Sequence, residues 1–159
     1  MSETVREVDR EDLPENLRTG LQALERTHGH LDVEPIIEVG NFVVVRLGTF
    51  DVTGPEFDED TSGAPLSHVH DEYRVFVRLP RAFPDGGRIK GFGTSPPLAR
   101  EDRGVQNNAS WEPEVQDQHE AHHDGTVEWY SWNWDGFPTS DPEHVKFAHD
   151  TARRMLKHA

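Results

Sequence analysis

The sequence contains no cysteine among its 159 residues. This absence excludes disulfide bonds, thiolate metal sites and a cysteine nucleophile, and with them any reaction that passes through an enzyme thioester. The sequence also has no uninterrupted run of about 18 apolar residues, the length that a membrane-spanning helix requires. Because the polar, acidic first residues lack the apolar core of a signal peptide, we expect a cytoplasmic protein that is not inserted in a membrane.

Positive charge is scarce as well. Sixteen basic side chains stand against 30 acidic ones, the net charge is −14, and only three of the basic residues are lysines: Lys90, Lys146 and Lys157. Nucleic-acid binding is not expected, since basic contacts to phosphate supply most of that affinity. An acidic, lysine-poor surface is typical of a halophilic archaeal or bacterial protein, because screening in a salty cytoplasm weakens self-repulsion. An acidic face that meets a basic partner is the alternative.

Alternation of apolar and polar residues is clearest between positions 72 and 79. The apolar residues Tyr73, Val75, Val77 and Leu79 fall on one face, and charged residues fall on the other. This period of two predicts a half-buried antiparallel strand. Pro80 ends the strand, because proline cannot donate a hydrogen bond to a neighbouring strand.

The rest of the chain predicts an α+β fold in one domain, residues 12–159, after a flexible tail at 1–11. We expect an N-terminal helix over 12–28, an antiparallel four-stranded meander, a long irregular loop at 99–128 and a C-terminal helix. The expected strands cover residues 35–39, 42–52, 72–79 and 88–92. Residues 42–52 are apolar on both faces, with Phe42, Val44, Phe50 and Val52 on one of them, which indicates a central strand. Ser140 and Glu143 form a predicted capping box for the last helix.

Several short motifs occur in this order: Leu79-Pro80, Phe83-Pro84, Ser95-Pro96-Pro97, and the tryptophans Trp129, Trp132 and Trp134 before the last helix. With the order of elements, they resemble the ubiquitin-conjugating-enzyme-like (UBC-like) superfamily, and most closely its prokaryotic members. In that family a helix precedes a four-stranded meander, the third strand ends in an aromatic-proline turn, and the active-site loop follows a proline-marked segment.

The resemblance implies a loop in which an Asn precedes a catalytic Cys. Asn107 and Asn108 lie in the corresponding loop, but the Cys and the His-Pro that precedes the Asn are absent. The implied function is therefore non-catalytic: the domain binds or positions a ubiquitin-like modifier or its activating partner, with no cofactor. Candidate partner-binding residues are Asn107, Asn108, Trp111, Trp129 and Trp132. The alternatives are a plain turn at Asn107-Asn108 and core or loop anchoring by the tryptophans.

Ten histidines leave a second hypothesis open, that of a protein or enzyme that binds zinc or another divalent metal. His68 and His70 would lie on one face at the start of a strand, and the long loop could supply further ligands from His119, His122 and His123. The spacing is similar to that of cupin-type barrels. In those barrels a Glu follows the second His by four or five residues, and here these two positions are Arg74 and Val75. Solvated loop surface is the alternative interpretation of this tract. Whether the chain is an enzyme stays undecided at this stage.

Overall fold

The fold is built on an antiparallel sheet, seen here in a computed structural model that describes residues 5–28, 36–55, 71–83, 89, 91–95, 127–130, 134, 137 and 141–156. Within these residues the sheet has six strands in the order of the sequence. The strands are β1 (Val5–Val8), β2 (Ile36–Val39), β3 (Phe42–Asp51), β4 (Glu72–Pro80), β5 (Phe92–Ser95) and β6 (Glu128–Tyr130). All neighbouring pairs are antiparallel. The α+β class with an antiparallel sheet is therefore confirmed.

Two α-helices and two 3₁₀ helices complete the described elements. They are a 3₁₀ turn at Arg10–Asp12, α1 at Glu15–Thr27, a 3₁₀ helix at Pro142–Phe147 and α2 at Ala148–Leu156. Because the last two follow one another directly, the C-terminal helix begins as 3₁₀ and continues as α. No helix in the described part of the chain is both long and apolar enough to cross a membrane.

The expected four-stranded meander is wrong in strand number. Val5–Val8, expected within a flexible tail, instead pair with β2 in the register Val5 to Val39. Glu128–Tyr130 add a further strand beside β5. Both strands lie at the edges of the described sheet, and each pairs with one neighbour only. With three or four residues each, they are too short to show the alternation that predicts a strand. The fourth expected strand, at 88–92, lies later, at Phe92–Ser95.

A β-bulge in β3 corrects the expected assignment of its faces. Arg46 pairs with Phe76 and Gly48 pairs with Val75, which leaves Leu47 as an extra residue. Gly48 has φ 136°, a conformation that residues with a side chain rarely adopt. Beyond the bulge the alternation is inverted, so Phe50 lies on the same face as Val43 rather than with Val44.

The two faces of the sheet form two separate apolar clusters. The first cluster joins the face that carries Val45 and Val77 to both α-helices, through α1 leucines such as Leu21 and through α2 residues such as Ala152. The second cluster, on the opposite face, contains Ile37, Val39, Val44, Phe76, Val127 and Trp129. No described helix contributes to that second cluster. β3 and β4 are the two middle strands of the described sheet, as expected for β3.

The strand β4 is buried on both faces rather than on one. Arg78 belongs to the face that was expected to be exposed, yet only 7% of it is accessible. Its guanidinium carbon lies 4.6 Å from the ring centroid of Trp129. A charged residue in an alternating pattern normally indicates solvent, but here the planar guanidinium stacks on an indole and is buried with it.

Close packing joins α1 to the second 3₁₀ helix. A Cβ atom added at Gly20 would lie 2.7 Å from Val145 Cγ2 and 2.8 Å from the Pro142 carbonyl oxygen. The absence of a side chain at Gly20 therefore allows the two backbones to approach. Arg26 of α1 and Glu143 of the 3₁₀ helix form an ion pair at 2.9 Å on the surface of the same contact.

The N-cap of the C-terminal helix is Asp141, whose side-chain oxygen accepts a hydrogen bond from the Glu143 backbone N–H at 2.8 Å. The N-cap therefore lies one residue later than Ser140, the position that the capping-box pattern predicted. Pro142 occupies the first turn, as expected. Both Ser and Asp are good N-caps, so the sequence alone does not distinguish two adjacent candidates.

Candidate functional site

The side chains of His28, His149 and Asp150 meet where α1 ends and α2 begins. Within the described residues they form a group in which one potential ligand atom from each side chain lies within 4.8 Å of the others. The two imidazole rings are stacked, with centroids 3.9 Å apart and planes inclined by 21°. The histidines are half-buried and Asp150 is exposed. Asp150 is therefore the most accessible member of the group.

The position of His28 follows from the way that α1 ends. His28 is the C-cap, and its backbone N–H donates to the Leu24 carbonyl at 3.1 Å. Its ring reaches across to the C-terminal helix, where Nε2 lies 3.1 Å from the Lys146 carbonyl oxygen. Because a carbonyl oxygen only accepts hydrogen bonds, Nε2 carries the proton. In the neutral ring this leaves Nδ1 with its lone pair free to accept or to bind a cation.

His149 is the second residue of α2 and lies over the first face of the sheet. Its ring centroid is 4.8 Å from that of Phe50 in β3, so the imidazole lies between an aromatic ring and His28. Its Nδ1 atom is buried and has no hydrogen-bond partner in the part of the chain that the structure describes. An unsatisfied buried nitrogen is uncommon in a folded protein and calls for a physical explanation.

The surroundings of His149 favour its neutral form. Burial and, to a lesser extent, the electrostatic effects of His28 and Arg153 together lower its pKa to about 4, although Asp150 acts in the opposite direction. Removing an imidazolium from water is unfavourable, and a second cation close by adds to that cost. At neutral pH His149 is therefore uncharged, which is the protonation state in which imidazole binds metal ions.

Most of the site residues predicted from the sequence lie outside the described residues. These are Asn107, Asn108, Trp111 and Trp132 among the candidate partner-binding residues, and His68, His70, His119, His122 and His123 among the candidate metal ligands. These predictions stay predictions.

Trp129 is the one predicted partner-binding residue that is described. Its side chain is fully buried in the second cluster, beneath Arg78. Trp134 is also largely buried, and its Nε1–H donates to the Gly91 carbonyl at 3.0 Å. Both positions fit the alternative interpretation, in which tryptophans anchor the chain to the body of the fold.

His28 and His149 were not predicted as site residues, because only the tertiary fold brings them together. A partial signal was present for His149, which lies between Ala148 and Ala152 on the apolar stripe of the last helix. A histidine on a core-facing stripe is half-buried by its position. Comparisons of the chain with protein-family models, with curated proteins and with solved structures found no match.

Proposed function

We propose that the chain is a non-catalytic, UBC-like binding domain that binds or positions a ubiquitin-like modifier or its activating partner. The sequence has no cysteine, so the chain has no thiol that could carry a modifier as a thioester. Binding or positioning is the part of the family's function that such a chain retains.

The observation that carries the proposal is the order of the elements around β4. Helix α1 precedes the meander β2–β5, and β4, its third strand, ends at Pro80. The Phe83 backbone N–H then donates to the Pro80 carbonyl at 2.9 Å, and the Phe83 ring is fully buried. A helix, a meander and a third strand that ends in a Leu-Pro…Phe turn are the features of the resemblance. The edge strands β1 and β6 are additions that the resemblance does not imply.

The proposal assigns partner contacts to Asn107, Asn108, Trp111 and Trp132. It does not assign one to Trp129, because that side chain is buried and would have to leave the second cluster to reach a partner. In this proposal the first four residues bind the partner, whereas Trp129 stabilises the fold.

The test is an NMR titration of the ¹⁵N-labelled chain in high salt with a ubiquitin-like modifier from a halophilic prokaryote. We expect saturable shifts that weaken in the double variant Asn107→Ala, Asn108→Ala and in Trp132→Ala. Asn16→Ala is the matched control, because Asn16 is exposed on α1. An absence of shifts at millimolar modifier and at millimolar activating partner would sink the proposal, as would equal weakening by Asn16→Ala.

The alternative is a metal-dependent protein or enzyme that uses His68 and His70. Both residues lie outside the described ranges, so this hypothesis rests on the His-x-His spacing alone. Metal analysis of protein purified without a histidine tag tests it. A stoichiometric ion that is lost in His68→Ala would support the alternative, and metal-free protein would exclude it.

A further inference from the structure

We propose that His28, His149 and Asp150 form a binding site for a divalent transition-metal ion that links the end of α1 to the start of α2. The site goes beyond the proposed partner binding and does not involve the histidines at 68 and 70. Its ligands come from the end of α1 and from α2, which directly continues the 3₁₀ helix that packs against Gly20 of α1.

The first argument is the hydrogen bond made by His28. Metal-binding histidines almost always donate their second ring N–H to a carbonyl or carboxylate oxygen, which fixes the tautomer and the ring orientation. His28 makes this contact from Nε2 to the Lys146 carbonyl at 3.1 Å. Its Nδ1 atom is therefore the available ligand, and the contact with the Lys146 carbonyl fixes the orientation of the ring.

The second argument is the buried Nδ1 atom of His149, which has no hydrogen-bond partner in the described part of the chain. A bound cation would satisfy this nitrogen. Asp150, the next residue, supplies a carboxylate from the exposed side of the group.

Binding requires a small rearrangement with a measurable consequence. In a tetrahedral site with bonds of about 2.0–2.1 Å, ligand atoms are about 3.3 Å apart, which is less than the 4.8 Å that encloses the present group. A metal ion also lies in the plane of each imidazole that binds it, so the stacked rings must rotate relative to one another. We therefore expect the His28–His149 stack and the contact with Phe50 to change when an ion binds.

The donor set selects the class of ion. Two imidazoles and one carboxylate suit Zn²⁺, Ni²⁺, Co²⁺ or Cu²⁺, whereas Mg²⁺ and Ca²⁺ prefer oxygen ligands. Three protein ligands leave room for water at the remaining positions. In a chain without disulfide bonds, such an ion would act as a removable cross-link between the two helices.

The experiment adds ZnCl₂ to EDTA-treated, tag-free protein and measures affinity by calorimetry and the melting temperature by circular dichroism. We expect one tight Zn²⁺ site and a rise in melting temperature, because a ligand that binds only the folded state stabilises it. His28→Asn and His149→Gln should each weaken binding by about 10–100-fold or more, since loss of a ligand costs at least as much as loss of an outer contact. Asp150→Asn should have a smaller effect.

Other histidines can bind zinc adventitiously, so the matched control is the triple variant His119→Ala, His122→Ala, His123→Ala. We expect it to retain the site and the rise in melting temperature. MgCl₂ should produce neither, and an equal rise with Mg²⁺ would overturn the proposal by pointing to general neutralisation of a chain with net charge −14.

The proposal would also be overturned if Zn²⁺ binding persisted unchanged in His28→Asn, or if it disappeared only in the triple variant. If His149→Gln fails to fold, the wild-type protein decides the question by NMR. Sub-stoichiometric Zn²⁺ should shift the ring resonances of His28, His149 and Phe50 together. Unchanged resonances at these three residues would exclude the site.

Discussion

The two faces of the sheet differ in the contacts that the described residues make on them. On the first face, α1 and the C-terminal helix pack through leucine and alanine side chains, with a close backbone approach at Gly20 and polar contacts along the junction. On the second face the described cluster is small and contains one large indole, Trp129, beneath the guanidinium of Arg78. Among the residues that the structure describes, many side chains therefore pack on the helical face and few pack on the second face.

The largest effect is expected from Trp129→Ala on the second face. Removing a fully buried indole leaves a cavity and exposes the stacked Arg78, so the free energy of unfolding should fall by about 3–5 kcal/mol. Urea denaturation measures it. Trp129→Phe is the control, because it keeps an aromatic ring beneath Arg78 and should lose less. A loss below about 1 kcal/mol for Trp129→Ala would show that Trp129 contributes little to the stability of packing on the second face.

The next effect is expected from Gly20→Ala on the helical face. Alanine normally favours a helix over glycine by about 1 kcal/mol, but here its Cβ would meet the Pro142 carbonyl at 2.8 Å. Overpacking of this kind costs about 1–3 kcal/mol, so we expect a net loss of roughly 1–2 kcal/mol in unfolding free energy. At Gly54 an added Cβ meets nothing within 4 Å, so Gly54→Ala is the matched control and should be nearly neutral. An increase in unfolding free energy for Gly20→Ala would show that α1 and the 3₁₀ helix can move apart to accommodate the methyl group at little cost.

Loss of the helix cap should have an intermediate effect. Asp141→Ala removes the acceptor for the Glu143 backbone N–H and should cost about 1 kcal/mol, measured by thermal or urea denaturation. Ser140→Ala is the control, since the sequence makes Ser140 an equally good candidate. A larger loss from Ser140→Ala than from Asp141→Ala would contradict the observed cap.

Acid should weaken the helical junction through His149 in the metal-free protein. Its folded pKa of about 4 lies below the value near 6.5 expected in the unfolded chain, so the unfolded state binds more protons between these values. The contribution of uncharged His149 to the free energy of unfolding is fully present above pH 6.5 and is lost as the pH falls towards 4. Allowing for solvent screening, we expect roughly 1 kcal/mol of acid-dependent destabilisation that is absent in His149→Gln. An NMR titration that places the pKa of His149 at or above 6.5 would refute it.

The smallest effect is expected from the surface ion pair between Arg26 and Glu143. Its side chains are 69% and 46% exposed, so a double-mutant cycle with Arg26→Gln and Glu143→Gln should give about 0.2–1 kcal/mol. In 1 M salt, where the screening length is about 3 Å, the coupling should approach zero. A coupling that persists in salt would show that the junction depends on this pair more than on the Gly20 contact.

Much of the fold follows from local patterns in the sequence. The helical spacing of Leu17, Leu21 and Leu24 predicts α1, and the run of 42–52, apolar on both faces, predicts an interior strand. Two features escape this reasoning because they depend on partners distant in the sequence. The bulge at Leu47 and Gly48 inverts a regular alternation, and Arg78 looks exposed until Trp129 is placed over it. The alternation of apolar and polar residues predicts which side chains share a face only where no bulge interrupts the strand.

The His28–His149 contact shows why the candidate site is harder to predict than the fold. Close spacing along the chain makes His68 and His70 candidate ligands, whereas the two histidines that the structure brings together, His28 and His149, come from opposite ends of the sequence. The antiparallel order of the strands does not by itself place the end of α1 beside the start of α2. That placement depends on packing at Gly20, which a sequence pattern does not report.

The extra residue at Leu47 has a consequence for this pair. An odd insertion in a strand turns every later side chain to the opposite side of the sheet, and Phe50 lies beyond it. Without the insertion, the phenyl ring would be directed towards Ile37 and Trp129, and the aromatic surface below His149 would be lost. One extra residue in the middle of the sheet thus supplies the aromatic surface against which the His149 ring packs.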